Sequence, residues 1–202
     1  MIRALLVDLG GVLVRFDHGR TLRTLEAATG VPAGELRPHV FGPLEREFDL
    51  GRLNADGFFR AVERTAGIPR VPDETWIPAW RDIFEPDLAA LGALGRVRRG
   101  VKRILVSNTN ALHWDGILRV LDLTGLVEDC VLSFQVGAAK PDRAIFETAL
   151  ARADASPPEA LFADDRAEYV AAARSLGLVA FTVTGPARFE RGLAGAGLLG
   201  PL

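Results

Sequence analysis

The sequence predicts an α/β fold: a parallel sheet between helical layers, with a small helical bundle inserted after the first strand. Three observations predict it. Residues 2–7 read IRALLV, a nearly unbroken apolar run that ends at Asp8 and the glycine pair Gly10-Gly11. A short run of this kind with a turn behind it fits a strand covered on both faces. From Pro86 onward, helical stretches alternate with apolar strand-like ones, which calls for parallel strands joined by crossover helices. Between Asp17 and Glu85 the periodicity is helical, with no convincing strand. The expected division is therefore an α/β core of residues 1–15 and 86–202 and a helical cap of residues 16–85, lying over the strand ends.

The inserted segment offers four helical stretches. Residues 21–29 place Leu22, Leu25 and Ala28 on one face before Gly30, and residues 35–48 continue the pattern across a Gly42-Pro43 break. Asn54 is a good N-cap for a helix carrying Phe58, Phe59, Val62 and Ala66, which Gly67 ends. Trp76, Trp80, Ile83 and Phe84 share one face of a last helix. These aromatics read as the core of a bundle rather than as a substrate cage.

In the second part, helices are expected over residues 88–99, 111–121 and 168–176, with Pro141 at N1 of another that runs to Ala153. Strands are expected over 103–106, 130–134, 160–163 and 178–183. The glycine-rich tail 192–202 is expected to be partly mobile.

Composition excludes several classes of function. Against 26 Asp+Glu stand 24 Lys+Arg, for a net charge of −2 over 202 residues. No global basic field exists for nucleic acid or an acidic membrane surface, and the basic cluster Arg96–Gly100 suits a helix C-terminus. Cys130 is alone and lies in an apolar run, so an inert, buried thiol is expected. No apolar run reaches eighteen residues, and the first residues lack the layout of a signal peptide. A soluble, cytoplasmic protein is the expectation. The oligomeric state stays open, a homodimer through the cap or a sheet edge included.

Four polar clusters follow apolar runs: Asp8, then Ser107-Asn108-Thr109-Asn110, then Lys140, and last Asp164-Asp165. In a parallel sheet they would meet at the carboxyl ends of the strands. A carboxylate nucleophile, a hydroxyl with neighbouring backbone N–H groups, a lysine and an acidic pair are the parts that phosphoryl transfer to an aspartate requires. Asp8 would attack phosphorus. Ser107 and the amides after it would hold the non-bridging oxygens, and Lys140 would neutralise their charge. Carboxylates crowded against a dianionic substrate need a divalent cation, and Asp8 with Asp165 offers the hard oxygens that Mg2+ prefers. The histidines His18, His39 and His113 have no partners at metal-ligand spacing and read as surface or capping residues. His18 and Trp114 are the candidates for substrate contact. Arg37 and Arg46, in the cap, are candidates for an anion.

The stretches LLVDLGGVL, ILVSNTN, GAAKPD and ALFADD, in this order, resemble the haloacid dehalogenase (HAD) superfamily of hydrolases. The likeness spans the whole chain and is closest to the bacterial α-D-glucose-1-phosphate phosphatase-like subgroup, through VSNTNALH, AKPDRAIFETAL and FADDRAEYVAAARSLG. It implies a Rossmann-like core, Asp8 as nucleophile, phosphate bound by Ser107 and Asn108, and Lys140 steadying both the phosphoryl oxygens and the nucleophile. It also implies magnesium on Asp8, the Gly10 carbonyl and Asp165, with Asp164 beside it, and a small phosphorylated metabolite, such as a sugar phosphate, as substrate.

One departure stands out. Most phosphatases of the family carry a second aspartate two residues after the nucleophile, which protonates the leaving oxygen and then activates water. This chain has Gly10 there. The glucose-1-phosphatase-like subgroup is similar in this respect. Two alternatives stay open: a metal-independent 2-haloacid dehalogenase, which the acidic pair Asp164-Asp165 speaks against, and a catalytically silent HAD-like binding module.

Overall fold

The computed structural model describes residues 1–200. The chain runs β1 (Ala4–Val7), β2 (Val14–Phe16), α1 (His18–Thr29), α2 (Ala33–Val40), α3 (Pro43–Asp49), α4 (Ala55–Ala66), α5 (Asp73–Arg81) and β3 (Phe84–Pro86). It continues with α6 (Leu88–Gly95), β4 (Lys102–Ser107), α7 (Ala111–Val120), β5 (Asp129–Leu132), α8 (Ser133–Val136) and α9 (Arg143–Ala153). A 3₁₀ turn over Pro157–Glu159 then leads to β6 (Ala160–Asp164), α10 (Ala167–Ser175), β7 (Val179–Thr182) and α11 (Pro186–Gly195).

The fold is α/β, as expected. Five strands form one parallel sheet in the order β5-β4-β1-β6-β7, with Val7 in register with Leu105 on one side and Ala163 on the other. After β1 the chain fills one side of the sheet and then crosses to the other. The crevice outside the carboxyl end of β1 is thus the switch point at which such sheets take ligands. Strand alternation sorts the core into two faces. Leu5 and Val7 pack with α6, α7 and α11 through Leu94, Ile117 and Phe189, while Ala4 and Leu6 pack with α9 and α10 through Phe146, Ala149 and Val170.

A third apolar cluster, from Leu22 to Trp80, is built by helices α1 to α5. Its two tryptophans are fully buried, and each indole N–H has an acceptor: Glu63 for Trp76 at 3.0 Å and Asn110 for Trp80 at 3.1 Å. Burying rings of this size stabilises by about 1.5–3 kcal/mol each, provided the polar handle is satisfied.

Several expectations change. The segment after β1 is not purely helical: β2 and β3 pair as an antiparallel ribbon, Val14 opposite Pro86 and Phe16 opposite Phe84. Each strand is three residues long, too short to show a period. The α5 helix ends at Arg81, so Phe84 belongs to the ribbon and not to the face of Trp76 and Trp80. The bundle has five helices, since Gly42-Pro43 divides α2 from α3 rather than interrupting one helix. Pro141 precedes a helix that begins at Arg143 and does not occupy its first position. Within the tail, Leu193 and Leu198 are fully covered, and Leu199 bridges Val97. Residues 201–202, on which that expectation also falls, lie outside the described residues. Among the described residues, no helix is long and apolar enough to cross a membrane.

Candidate active site

The floor of the site is made where three strands stop. Asp8 follows β1, Ser107 ends β4 and Asp164 ends β6. Lys140 arrives by another route, through α8 and the loop before α9, and its Nζ lies 2.7 Å from Asp8 Oδ1 and 2.6 Å from Asp164 Oδ2. The lysine side chain is 1% exposed and Asp164 is fully buried. Burial alone would lower the lysine, but the two carboxylates outweigh it and hold the ammonium charged. Burial pushes Asp8 up to about 7, reinforced by Asp164 and opposed by Lys140. One ammonium thus serves two buried carboxylates, and the second negative charge is the uncompensated one.

The oxygens of this cluster are not equivalent. Asp8 Oδ1 accepts from the Leu9 N–H and from Lys140, both at 2.7 Å. Oδ2 has no partner among the described residues. Both oxygens of Asp164 are taken, one by Lys140 and one by the Arg166 N–H at 2.8 Å. Asp165 is exposed beside them, and Asp8, Asp164 and Asp165 each offer an oxygen within 4.8 Å of the others. Gly11 makes room for it: a Cβ on this residue, whose φ is +76°, would lie 2.5 Å from Asp165 Oδ2. Three carboxylates against one lysine leave an excess of negative charge that fits a hard divalent cation.

The Asn108 side chain has partners within the protein. It is spent on the backbone of Lys140, donating to the carbonyl at 2.9 Å and accepting from the N–H at 2.7 Å. The Asn108 amide therefore positions the lysine, and only the main chain of this residue remains for an anion. Ser107 is buried at the same edge and lines the cavity beside Asp8.

Above the floor is a pocket of about 360 Å³ whose roof is helical. From α3 come Glu45, Arg46 and Asp49, and aromatic rings of Phe16, Phe84 and His113 close the sides. Sequence reasoning passed over Glu45, Asp49, Ser133 and Tyr169, and placed Asn110 only within a polar cluster. Their roles arise from tertiary contact, which the sequence does not show.

Asn110 is the hub between roof and floor. It is fully buried, caps α7 through the His113 N–H at 3.0 Å, accepts from Trp80, and donates to Asp49 at 2.8 Å. Both groups on its oxygen are obligate donors, which fixes the amide's orientation. Its nitrogen then faces His113 Nδ1 at 3.2 Å, so that ring nitrogen accepts and the proton resides on Nε2. Burial accordingly lowers His113 to about 3, and a surface role for it is corrected. Ser133 adds a second link, donating to the Asp49 carbonyl at 2.6 Å and accepting from the Thr109 N–H at 2.9 Å.

Of the remaining candidates, His18 lines the pocket, half-buried, with burial lowering it to about 4. Trp114 instead packs against the sheet core, which corrects its place as a substrate contact. Arg46 lines the pocket and pairs with Asp142 at 3.7 Å, whereas Arg37 lies over the Phe41 ring. Cys130 is partly buried, and desolvation raises its thiol to about 11, which keeps it inert.

Comparison with known proteins gives the same picture. A family model for haloacid dehalogenase-like hydrolases matches residues 2–177. The chain is 28% identical over 191 residues to the D-ribitol-5-phosphate phosphatase of Bacteroides thetaiotaomicron, covering 90% of this chain and 91% of that one. It is 27% identical over 205 residues to a phosphatase of Mycobacterium tuberculosis, covering 90% and 87%. Among solved structures, a HAD family enzyme of Bacteroides thetaiotaomicron in complex with magnesium and inorganic phosphate superposes with a TM-score of 0.77 at 25% identity, covering 90% of this chain and 94% of that one. With that family model matching residues 2–177, most of its length, the chain belongs to the haloacid dehalogenase-like hydrolase family.

Proposed function

We propose that this hydrolase is a magnesium-dependent phosphatase of small phosphorylated metabolites, sugar or polyol phosphates among them, working through an aspartyl-phosphate on Asp8. The observation that carries this reading is the floor cluster. Asp8 has one oxygen anchored by Leu9 and Lys140 and the other unpartnered, at the bottom of a cavity large enough for a small metabolite. The phosphatase relatives support it.

Asp8 Oδ2 would form the bond to phosphorus while the ester oxygen departs. Ser107, the Asn108 main chain and Lys140 would hold the phosphoryl oxygens as charge develops on them. Asn108 and Asp164 would keep the Lys140 ammonium in place. Asp8, Asp165 and the Gly10 carbonyl would hold the magnesium ion, with Asp164 beside it; the ion would neutralise the negative charge of substrate and nucleophile. The residues from 16 to 85 would act as the cap and those of 1–15 and 86–202 as the core, water being excluded between them.

The test is phosphate release from an aryl phosphate and from a panel of phosphorylated metabolites with magnesium present. Turnover should vanish in Asp8→Asn and on chelation. Unchanged turnover in Asp8→Asn would overturn the reading. The competing dehalogenase chemistry predicts halide release from 2-chloropropionate in the presence of chelator, and the paired carboxylates Asp164 and Asp165 argue against it.

A further inference from the structure

We infer that Glu45, reaching down from α3, is the acid and base of this site, giving its proton to the leaving oxygen and then taking one from the attacking water. The inference rests on the phosphatase reading and fills the gap left at Gly10.

The sheet edge cannot fill that gap. A Cβ on Gly10 would stand 3.1 Å from Phe16 Cε1, so the flank on which the missing aspartate would be carried is covered by an aromatic ring. The proton donor must come from another wall. The pocket's titratable groups are nearly all committed. Asp165 belongs to the acidic cluster on the floor. Asp49 is bonded to Asn110. Burial holds both His18 and His113 neutral at physiological pH, and neutral imidazole is a poor acid. The Tyr169 hydroxyl contacts Asn108, and burial raises it above the ordinary phenol value. Arg46 and Arg166 are paired with Asp142 and Glu168.

Glu45 is what remains. It lines the same cavity as Asp8, is half-buried, and has no ion-pair or side-chain partner among the described residues. Asp49 follows one turn later on the same helix, where like charges repel. Burial first and Asp49 second push Glu45 up to about 8, against a weaker pull from the Gly42 N–H. A carboxyl that is protonated at neutrality and becomes a carboxylate after one transfer has the properties that the two half-reactions need. In the first, the Asp8 oxygen–phosphorus bond forms, the phosphorus–ester oxygen bond breaks, and the Glu45 proton passes to that oxygen, releasing an alcohol. In the second, the Glu45 carboxylate takes a proton from water, whose oxygen bonds to phosphorus as the bond to Asp8 breaks. Inorganic phosphate leaves, and both carboxyl groups return to their starting states.

The experiment compares leaving groups in the magnesium-loaded enzyme. A departing nitrophenolate needs no proton, whereas a departing alkoxide does. In Glu45→Gln, kcat/KM for a polyol phosphate should fall on the order of a hundredfold, while kcat/KM for p-nitrophenyl phosphate stays within about threefold of the parent. The specificity constant is the correct readout because it ends when the leaving group departs, before water attack. The same variant should show a burst of nitrophenolate followed by slow turnover, since the phosphorylated enzyme also needs the base. Equal losses on both substrates, or no loss on either, would overturn the assignment. Glu45→Ala with added formate gives an independent arm: restored turnover of the polyol phosphate supports the role, and no restoration in a folded protein counts against it. If Asp8→Asn stays active, the phosphatase reading fails instead; if only the Glu45 contrast is missing, that reading stands and this inference does not.

Discussion

On the floor of the pocket, carboxylates crowd around a single buried ammonium, Asp8 and Asp164 are buried with it, and Asp165 stands exposed at their edge. Across the cavity, burial raises the two roof carboxyls, one helical turn apart, Glu45 to about 8 and Asp49 to about 6, and keeps the imidazoles of His18 and His113 on the pocket walls uncharged. The floor is built to hold charge and the roof to withhold it. That difference suits a reaction in which a dianion is gripped at one end while protons are exchanged at the other. It also predicts that the two regions respond differently to substitution.

The largest effect is expected on the floor. Lys140→Ala leaves Asp8 and Asp164 buried without their counter-ion, and uncompensated buried charges destabilise by about 3–5 kcal/mol. Urea unfolding should show this as a lower midpoint with little change in slope, and a midpoint within error of the parent would break the picture of a charge-holding floor. An intermediate effect is expected at the joint between the regions. Asn110→Ala strands the Trp80 N–H and the Asp49 carboxyl and should lower stability by about 1–3 kcal/mol. Near-ultraviolet circular dichroism should report a changed tryptophan environment in the same variant. If the Trp80 signal and the unfolding midpoint are both unmoved, Asn110 is not the hub.

The last expected effect is a pH dependence. Glu45 has a folded value of about 8, above its ordinary 4.5. The folded state therefore binds the proton more tightly than the unfolded chain, so this contribution to stability is fully present below about 4.5 and declines as pH rises towards 8. Thermal unfolding of Glu45→Gln should show a flatter profile over that window than the parent. A steeper or identical profile would mean that the roof does not hold this carboxyl neutral.

The floor was legible in the sequence because each of its residues breaks an apolar run. Asp8 ends IRALLV, Ser107 ends a strand, and Asp164 ends ALFA. Lys140 reads as another polar residue behind an apolar run, although it reaches the cluster by way of α8 and not from a strand end. Position alone does not show the Asn108 side-chain contacts, because nothing in VSNTN says that its amide would clasp the Lys140 backbone. The roof was nearly opaque. Glu45 and Asp49 look like ordinary charges on an amphipathic helix, and His113 looks like a surface residue until Trp80 and Phe84 are seen against it. The ribbon of β2 and β3 escaped notice because pairing across nearly seventy residues leaves no local trace in three-residue strands.

That ribbon has an architectural consequence. The polypeptide leaves the sheet and comes back to it through two adjoining antiparallel strands, with the Asp87 N–H bonded to the Leu13 carbonyl at 2.9 Å. Everything between those strands is, topologically, the tip of one long hairpin. Such a tip can grow, shrink or be grafted from another protein without shifting the register of the catalytic strands, so new specificities can be tried while the chemical engine stays fixed.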